Sequence, residues 1–135
     1  MKKLFGIVLG LFALTHSVSA QCLSYEPKVQ SLSGIILRRT FPGPPNYLSI
    51  KAGDEAERYW ILRLNKPICV DAADEPNIAE KSQKEIQLVL DERQYNEYRG
   101  MLGKNVTVTG TIFHSHTGHH HKKLLLTVSS ILNKK

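Results

Sequence analysis

A histidine-rich segment, HSHTGHHH at residues 114–121, offers the clearest chemistry in the sequence. On a β-strand, His114 and His116 would point to the same side with their Cβ atoms about 6.5–7 Å apart. Imidazole nitrogens at such a spacing can bind one Zn²⁺ or Cu²⁺ ion. Gly118 allows the chain to reverse and return a third ligand. We therefore predict candidate metal ligands in this segment and Zn or Cu as the candidate cofactor: His114, His116, His119 and His121.

Other roles for the histidines stay open. The segment contains no Cys, Asp or Glu, so a closed structural zinc site with four defined ligands is not expected. Adventitious metal capture by a His-rich tract is one alternative, and a hydrogen-bonding role in a polar hairpin is another. Because the ordinary pKa of histidine is about 6.5, a pH-dependent surface charge is also compatible with the sequence.

A Pro-rich segment, FPGPPNY, is the second unusual feature. Its prolines predict a stiff loop, and its aromatic rings could contact a ligand. Two further aromatic residues follow in the next apolar run. The predicted ligand-binding residues are Phe41, Pro42, Pro44, Pro45, Tyr47, Tyr59 and Trp60.

Motifs of known enzyme classes are absent from the chain. Asp54 and Glu55 are adjacent, but no general acid is evident opposite them. We therefore expect no enzyme and name no catalytic residue. Only 7% of the residues are aromatic and the formal net charge is a modest +6, so we expect no nucleic-acid partner.

The N-terminal residues, MKKLFGIVLGLFALTHSVSA, are typical of a signal peptide. Two lysines precede an apolar run, and small residues lead to Ala20. That run is too short to cross a hydrocarbon core of about 30 Å as a helix. We predict a signal peptide over residues 1–20, cleavage after Ala20, a periplasmic location with no transmembrane segment left, and a single domain over residues 21–135.

Two cysteines, Cys22 and Cys69, remain after the expected cleavage. An exported chain meets an oxidising compartment, so the pair is predicted to form a disulfide. Closing that loop would stabilise the fold by about 4 kcal/mol in the chain-entropy model. Free thiols and metal ligation are the alternatives. Both are less favoured, because the two cysteines form no CxxC motif and have no nearby histidine.

The order of predicted elements indicates a fold. Asp91 and Gln94 have the spacing of a helix capping box, and Gly103 suits the helix end. Five strands flank this helix, so that it lies between the third and the fourth. That order predicts a mainly β, five-stranded OB-like Greek-key barrel. The predicted strands are Val29 to Arg39, Arg58 to Val70, Glu85 to Leu90, Lys104 to Phe113 and Leu124 to Leu132.

In such a barrel the loops after the first and the fourth strands flank the ligand-binding face. Here they are the Pro-rich loop 41–47 and the His-rich hairpin 114–121. We therefore expect these two segments to meet at one rim. The antiparallel pairing of the first two strands would also bring Cys22 close to Cys69.

Four strings of the sequence stand out: TFPGPPNY, PICV, IQLVL and GKNVTVTGTIFHSHTGHHH. They resemble a family of small exported bacterial proteins, domain of unknown function 4431. The resemblance implies an OB-fold-like shape and transfers no activity. It also implies that both cysteines, the FPGPPNY loop and the five histidines of the hairpin, His120 included, match the family pattern in position.

These observations predict an exported, monomeric binding module with a ligand or divalent-metal site at the shared rim. The alternative is a protein–protein inhibitor or immunity protein acting against an envelope toxin or hydrolase. Its partner would accordingly be a small ligand or an envelope protein.

Overall fold

A computed structural model describes residues 21–135, together with residues 2, 10 and 12–14. The predicted signal peptide, residues 1–20, therefore lies mainly outside the described residues. Among the described residues, no helix has both the length and the apolar character needed to span a membrane.

Five strands and one short helix follow the predicted order. The strands are β1 (Val29–Pro42), β2 (Ala56–Val70), β3 (Glu80–Val89), β4 (Asn105–His114) and β5 (Leu124–Asn133). Helix α1 (Glu92–Glu97) and a 3-10 turn (Arg99–Met101) connect β3 to β4.

The strands close into a barrel in the order β1-β2-β3-β5-β4. Of the five strand pairings in the described part of the chain, the pairing of β3 with β5 is parallel and the other four are antiparallel. The predicted mainly β architecture is confirmed, and the closed ring is compatible with an OB-like barrel.

Alternating apolar residues build the interior of the barrel. In β1, Leu32 and Ile36 point inward, and Gly34 between them pairs with both β2 and β4. A Cβ at Gly34 would lie 2.2 Å from the carbonyl oxygen of Arg63, so only glycine admits this close approach. Gly110 similarly faces the carbonyl oxygen of Thr127 at a register shift of the β4–β5 pair, where the strand forms a bulge.

The capping box of α1 forms as predicted. The Asp91 carboxylate accepts a hydrogen bond from the Gln94 backbone at 2.7 Å, and the Gln94 side chain accepts one from the Asp91 backbone at 3.0 Å. The α-helix ends at Glu97 and tightens into the 3-10 turn, so it ends well before Gly103, where the sequence indicated the helix end. The side chains of Tyr95, Tyr98 and Leu102 pack against the core.

Two strands extend three or more residues beyond their predicted ends. β3 begins at Glu80, ahead of its predicted start at Glu85, because Val70 and Ile68 of β2 pair with it across register shifts. β1 continues to Pro42, which pairs with Ala56. Phe41 and Pro42 consequently lie on a strand, where the sequence predicted the start of a loop.

The predicted disulfide is confirmed. Cys22 and Cys69 are bonded, with their Cα atoms 4.7 Å apart. Next to the bond, the backbone of Leu23 donates to the Cys69 carbonyl at 2.8 Å, and the backbone of Asp71 donates to the Leu23 carbonyl at 2.9 Å. The start of the domain is thus fastened to the end of β2.

Candidate functional site

The Pro-rich loop and the His-rich hairpin lie against one another. The ring of Phe41 stacks on His121, with centroids 4.4 Å apart and an interplanar angle of 4°. Tyr47 meets His119 edge to face at 5.3 Å, and its hydroxyl lies 3.3 Å from His119 Nε2. The Tyr47 ring also covers Gly118, where a Cβ would come within 2.8 Å of it. The structure therefore brings together the two segments that were expected to share a rim.

The hairpin is fastened across the outer face of β3. The buried Gln87 side chain donates to the His119 carbonyl at 3.1 Å and accepts from the His121 backbone at 2.7 Å. Lys122 adds an ion pair with Glu85 at 2.5 Å. Both ends of one amide are thus used by the hairpin backbone, which fixes its position on the strand.

Glu57, at the start of β2, contacts two of the histidines. Its Oε1 lies 2.5 Å from His119 Nδ1, and its Oε2 lies 3.0 Å from His121 Nε2. The His121 and Glu57 side chains are only 10% and 13% exposed. Burial, followed by the charge of Glu57, also raises the pKa of the neighbouring Tyr59. One carboxylate therefore ties the hairpin to the barrel wall.

His114 has a different carboxylate partner. Its Nε2 lies 2.9 Å from Oε1 of Glu80 in β3, and both side chains are nearly buried. The His114 backbone donates to the Asn77 side chain at 2.9 Å. This histidine joins the end of β4 to the segment that leads into β3.

His116 and His120 form an edge-to-face pair, with ring centroids 4.7 Å apart. His120 Nδ1 accepts hydrogen bonds from the backbones of His116 at 3.0 Å and Thr117 at 3.3 Å. Burial, with a smaller contribution from the other hairpin histidines, lowers the pKa of His120. His120, which was not among the predicted ligands, therefore organises the turn.

The four predicted metal ligands are divided among these contacts. His119 and His121 share Glu57, whereas His114 binds Glu80 and His116 packs on His120. Within residues 21–135 and the few others described, no group of three or more His, Cys, Asp or Glu side chains is arranged to hold a metal ion. The contacts match the hydrogen-bonding role that the sequence left open.

Residues 85–132 match the family model described as Domain of unknown function (DUF4431). This part of the chain resembles DUF4431 and contains two of the four strings on which the resemblance was stated, IQLVL and GKNVTVTGTIFHSHTGHHH. The match runs from β3 through the His-rich hairpin into β5 and includes Gln87 and the hairpin histidines. None of the curated proteins compared with the chain matches it.

Before the DUF4431 match, the connection between β1 and β2 (residues 43–55, hereafter the Asp54 loop) is organised by one carboxylate. Asp54 accepts backbone hydrogen bonds from Asn46 at 2.9 Å and from Leu48 and Ser49 at 2.8 Å. These bonds, that from Ser49 foremost, lower the pKa of Asp54. The sequence showed Asp54 only as one member of an acidic pair, and its structural role was missed.

The tip of the Asp54 loop is apolar and exposed. Leu48 is 81% exposed and Ile50 is 45% exposed. Tyr47, just before them, has a left-handed backbone with φ 57° and contacts the hairpin. The loop is thus held from within by Asp54 and from the side by the His-rich hairpin.

The predicted ligand-binding residues fall on both faces of the β1–β2 pair. Phe41, Tyr47 and Tyr59 gather around the histidines. Pro42 is paired in β1, while Pro44 accepts a backbone hydrogen bond from Glu55 at 2.8 Å and Pro45 is exposed. Trp60 points to the other face, where it is buried against Tyr95.

Proposed function

We propose that this protein is an exported binding module that recognises a protein partner through the Asp54 loop. The observation that carries the proposal is the exposure of Leu48 and Ile50 on a loop whose backbone is fixed by Asp54. A loop that is ordered before binding loses little conformational entropy when it binds. Apolar side chains on such a loop suit the centre of a protein–protein interface.

The hairpin supports this role by bracing the loop. Tyr47 rests on Gly118 and His119, and the hairpin itself is tied to Glu57 and Gln87. The base of the loop is therefore part of the barrel, while its tip faces solvent. An inhibitor or immunity protein would present a segment of this kind to its target.

The location and the class of partner follow from the sequence. The N-terminal signal peptide would export the chain to the periplasm, so the partner would be a protein of the cell envelope. A monomeric, disulfide-bonded domain without an evident catalytic set suits binding better than catalysis.

A binding comparison tests the proposal. The double variant Leu48→Ser/Ile50→Ser keeps the Asp54 hydrogen bonds and removes the apolar tip. Leu132→Ser, at a position 65% exposed in β5, is the matched control. Protein that begins at Gln21, the expected mature protein, is used to capture partners from an envelope extract. The affinity of each captured protein is then measured for the mature protein, the double variant and the control.

We expect a partner that binds the mature protein and the Leu132→Ser control equally, and the double variant about 30-fold more weakly or worse. Equal binding of all three forms, or no captured partner, would contradict the proposal.

A ligand or divalent-metal site at the rim receives less support, because the ring nitrogens of His114, His119 and His121 already meet carboxylates. Calorimetry with Zn²⁺ and Cu²⁺ on untagged mature protein tests it. Binding heat that exceeds the heat measured for a His119→Ala/His121→Ala variant would support a metal site at these histidines. Equal heats would exclude it.

A further inference from the structure

A second feature of the molecule, apart from the rim, is an open pocket of about 500 Å³ between the β1–β2 pair and the helical segment. Its walls carry three arginines, and its remaining lining is aromatic or apolar. None of the described carboxylates lines it. The lining residues are Arg38, Arg58, Trp60, Tyr95, Arg99 and Leu102.

Strand register explains how two of the arginines reach the same pocket. Arg38 lies directly opposite Trp60 in the β1–β2 pair, and Arg58 precedes Trp60 by two residues. Residues two apart on a strand, and residues directly opposite, share a face of the sheet. This is the face that carries Ile36 and Leu62 into the core.

The pocket arginines lack acidic partners. Among the described residues, none of Arg38, Arg58 and Arg99 lies within salt-bridge distance of a carboxylate. Arg99 donates to the Asn96 side-chain oxygen at 2.8 Å, which leaves its charge uncompensated. Guanidinium groups stay protonated at all physiological pH values. The pocket therefore concentrates positive charge that the protein itself does not neutralise.

The floor of the pocket is apolar. Trp60 is 5% exposed and meets Tyr95 edge to face at 5.1 Å. Leu102 completes this surface. The volume lies within the range of about 300–1,000 Å³ that is usual for small-molecule sites, and it exceeds what a bare inorganic anion needs.

We propose that this pocket binds a phosphate group carried by a small organic molecule. A phosphate monoester carries close to two negative charges at neutral pH, and its oxygens match the forked donors of several guanidinium groups. A carboxylate brings only one charge to the same three arginines. The organic part of the ligand would rest on Tyr95 and Leu102. This site does not depend on the protein partner proposed for the Asp54 loop.

Trp60 supplies a built-in reporter, because it is the only tryptophan in the sequence. Its fluorescence is followed while phenyl phosphate, inorganic phosphate, benzoate or benzyl alcohol is added to mature protein. The variants are Arg38→Gln/Arg58→Gln and, as a matched control, Arg93→Gln, which removes an exposed arginine of α1 outside the pocket. All three substituted arginines are exposed, and circular dichroism verifies that each variant is folded.

We expect phenyl phosphate to cause a saturable change with the mature protein and with Arg93→Gln. Binding by Arg38→Gln/Arg58→Gln should be at least about tenfold weaker. Inorganic phosphate and benzoate should bind more weakly than phenyl phosphate, and benzyl alcohol should have no effect.

Three results would overturn the proposal. One is the absence of a saturable change up to about 10 mM phenyl phosphate. The second is equal affinity of the arginine variant and the mature protein. The third is benzoate or inorganic phosphate binding as tightly as phenyl phosphate. Tight binding of benzoate would show that the phosphate group is not required, and tight binding of inorganic phosphate would show that the organic part is not required.

Discussion

Arg38 and Arg39 are neighbours in β1, yet they point to opposite faces and have opposite surroundings. Arg39 donates to Glu85 at 2.8 Å on the outer face, beside the carboxylates that bind the hairpin. Arg38 points into the pocket with Arg58 and Arg99, where none of the described carboxylates compensates it. The charges of Arg39, Glu85 and Glu57 on the outer face are thus paired, whereas the pocket keeps its charges available.

This difference separates structural charge from charge available to a ligand. In pairs such as Glu57 with His119 and His121, the hydrogen-bonding groups of the side chains are already occupied by one another. The arginines around the apolar floor of the pocket form no such pairs among the described residues. A conspicuous cluster of histidines can therefore be scaffolding, while three scattered arginines form the better ligand site.

Removal of the disulfide should have the largest effect on the free energy of unfolding, against which the effects on the outer face and the pocket can be compared. Cys22→Ser/Cys69→Ser should lower the free energy of unfolding by about 4 kcal/mol, because the bond closes a long loop. Its residues are 47 apart in sequence. Urea denaturation measures the loss. A loss below about 1 kcal/mol would contradict the expected contribution of the bond.

Glu57→Gln removes the carboxylate that pairs with the hairpin histidines on the outer face. The variant should lose roughly 1–3 kcal/mol of stability, because the nearly buried His121 and the half-exposed His119 both lose their carboxylate partner. Urea denaturation gives the loss, and amide hydrogen exchange should accelerate first at residues 117–121. Glu55→Gln, at an exposed position in the Asp54 loop, is the matched control and should have little effect. Equal stability of the two variants would show that the hairpin does not depend on Glu57.

The neighbouring arginines give the sharpest contrast. Arg39→Gln should cost up to about 1 kcal/mol, because it removes a partly exposed ion pair with Glu85. Arg38→Gln should change the free energy of unfolding by less than about 0.5 kcal/mol, or stabilise the fold slightly by relieving repulsion. Urea denaturation at low ionic strength measures both. A larger loss for Arg38→Gln would reverse the comparison.

The smallest effect concerns pH. Because burial holds the pKa of His120 below its ordinary value of 6.5, the unfolded chain takes up this proton before the folded one does. This contribution to stability is present above about pH 6.5 and is lost as the pH falls through the lowered pKa. His120→Gln should therefore weaken the fall in stability on acidification. Denaturation curves at several pH values from neutral to acidic test this, and an unchanged pH dependence would contradict it.

Local patterns made most of the fold predictable. Apolar alternation identified the strands, the spacing of Asp91 and Gln94 identified the helix start, and the predicted export led us to expect the disulfide of Cys22 and Cys69. The strand ends were less accurate. Pairing with a neighbouring strand, and not local composition, determines that β3 begins at Glu80 and that β1 continues to Pro42.

The site was only half predictable. The order of elements placed the Pro-rich loop beside the hairpin, but the histidines' partners lie far away in the chain. Glu57 precedes His119 by 62 residues and His121 by 64, so no local motif links them. The arginine pocket was missed for the same reason, since Arg38, Arg58 and Arg99 come from three separate elements. The inward parity of Arg38 and Arg58 was the one signal available in the sequence.

The His-rich hairpin is fastened over the outer face of the barrel by its own histidines. Nuclear Overhauser measurements on the mature protein can detect this arrangement. We expect contacts between the ring protons of Phe41 and His121, and between the Tyr47 ring and Gly118, in the absence of any added metal. If the hairpin shows no contacts to either ring, or shows them only after Zn²⁺ is added, its histidines do not fasten it to the barrel.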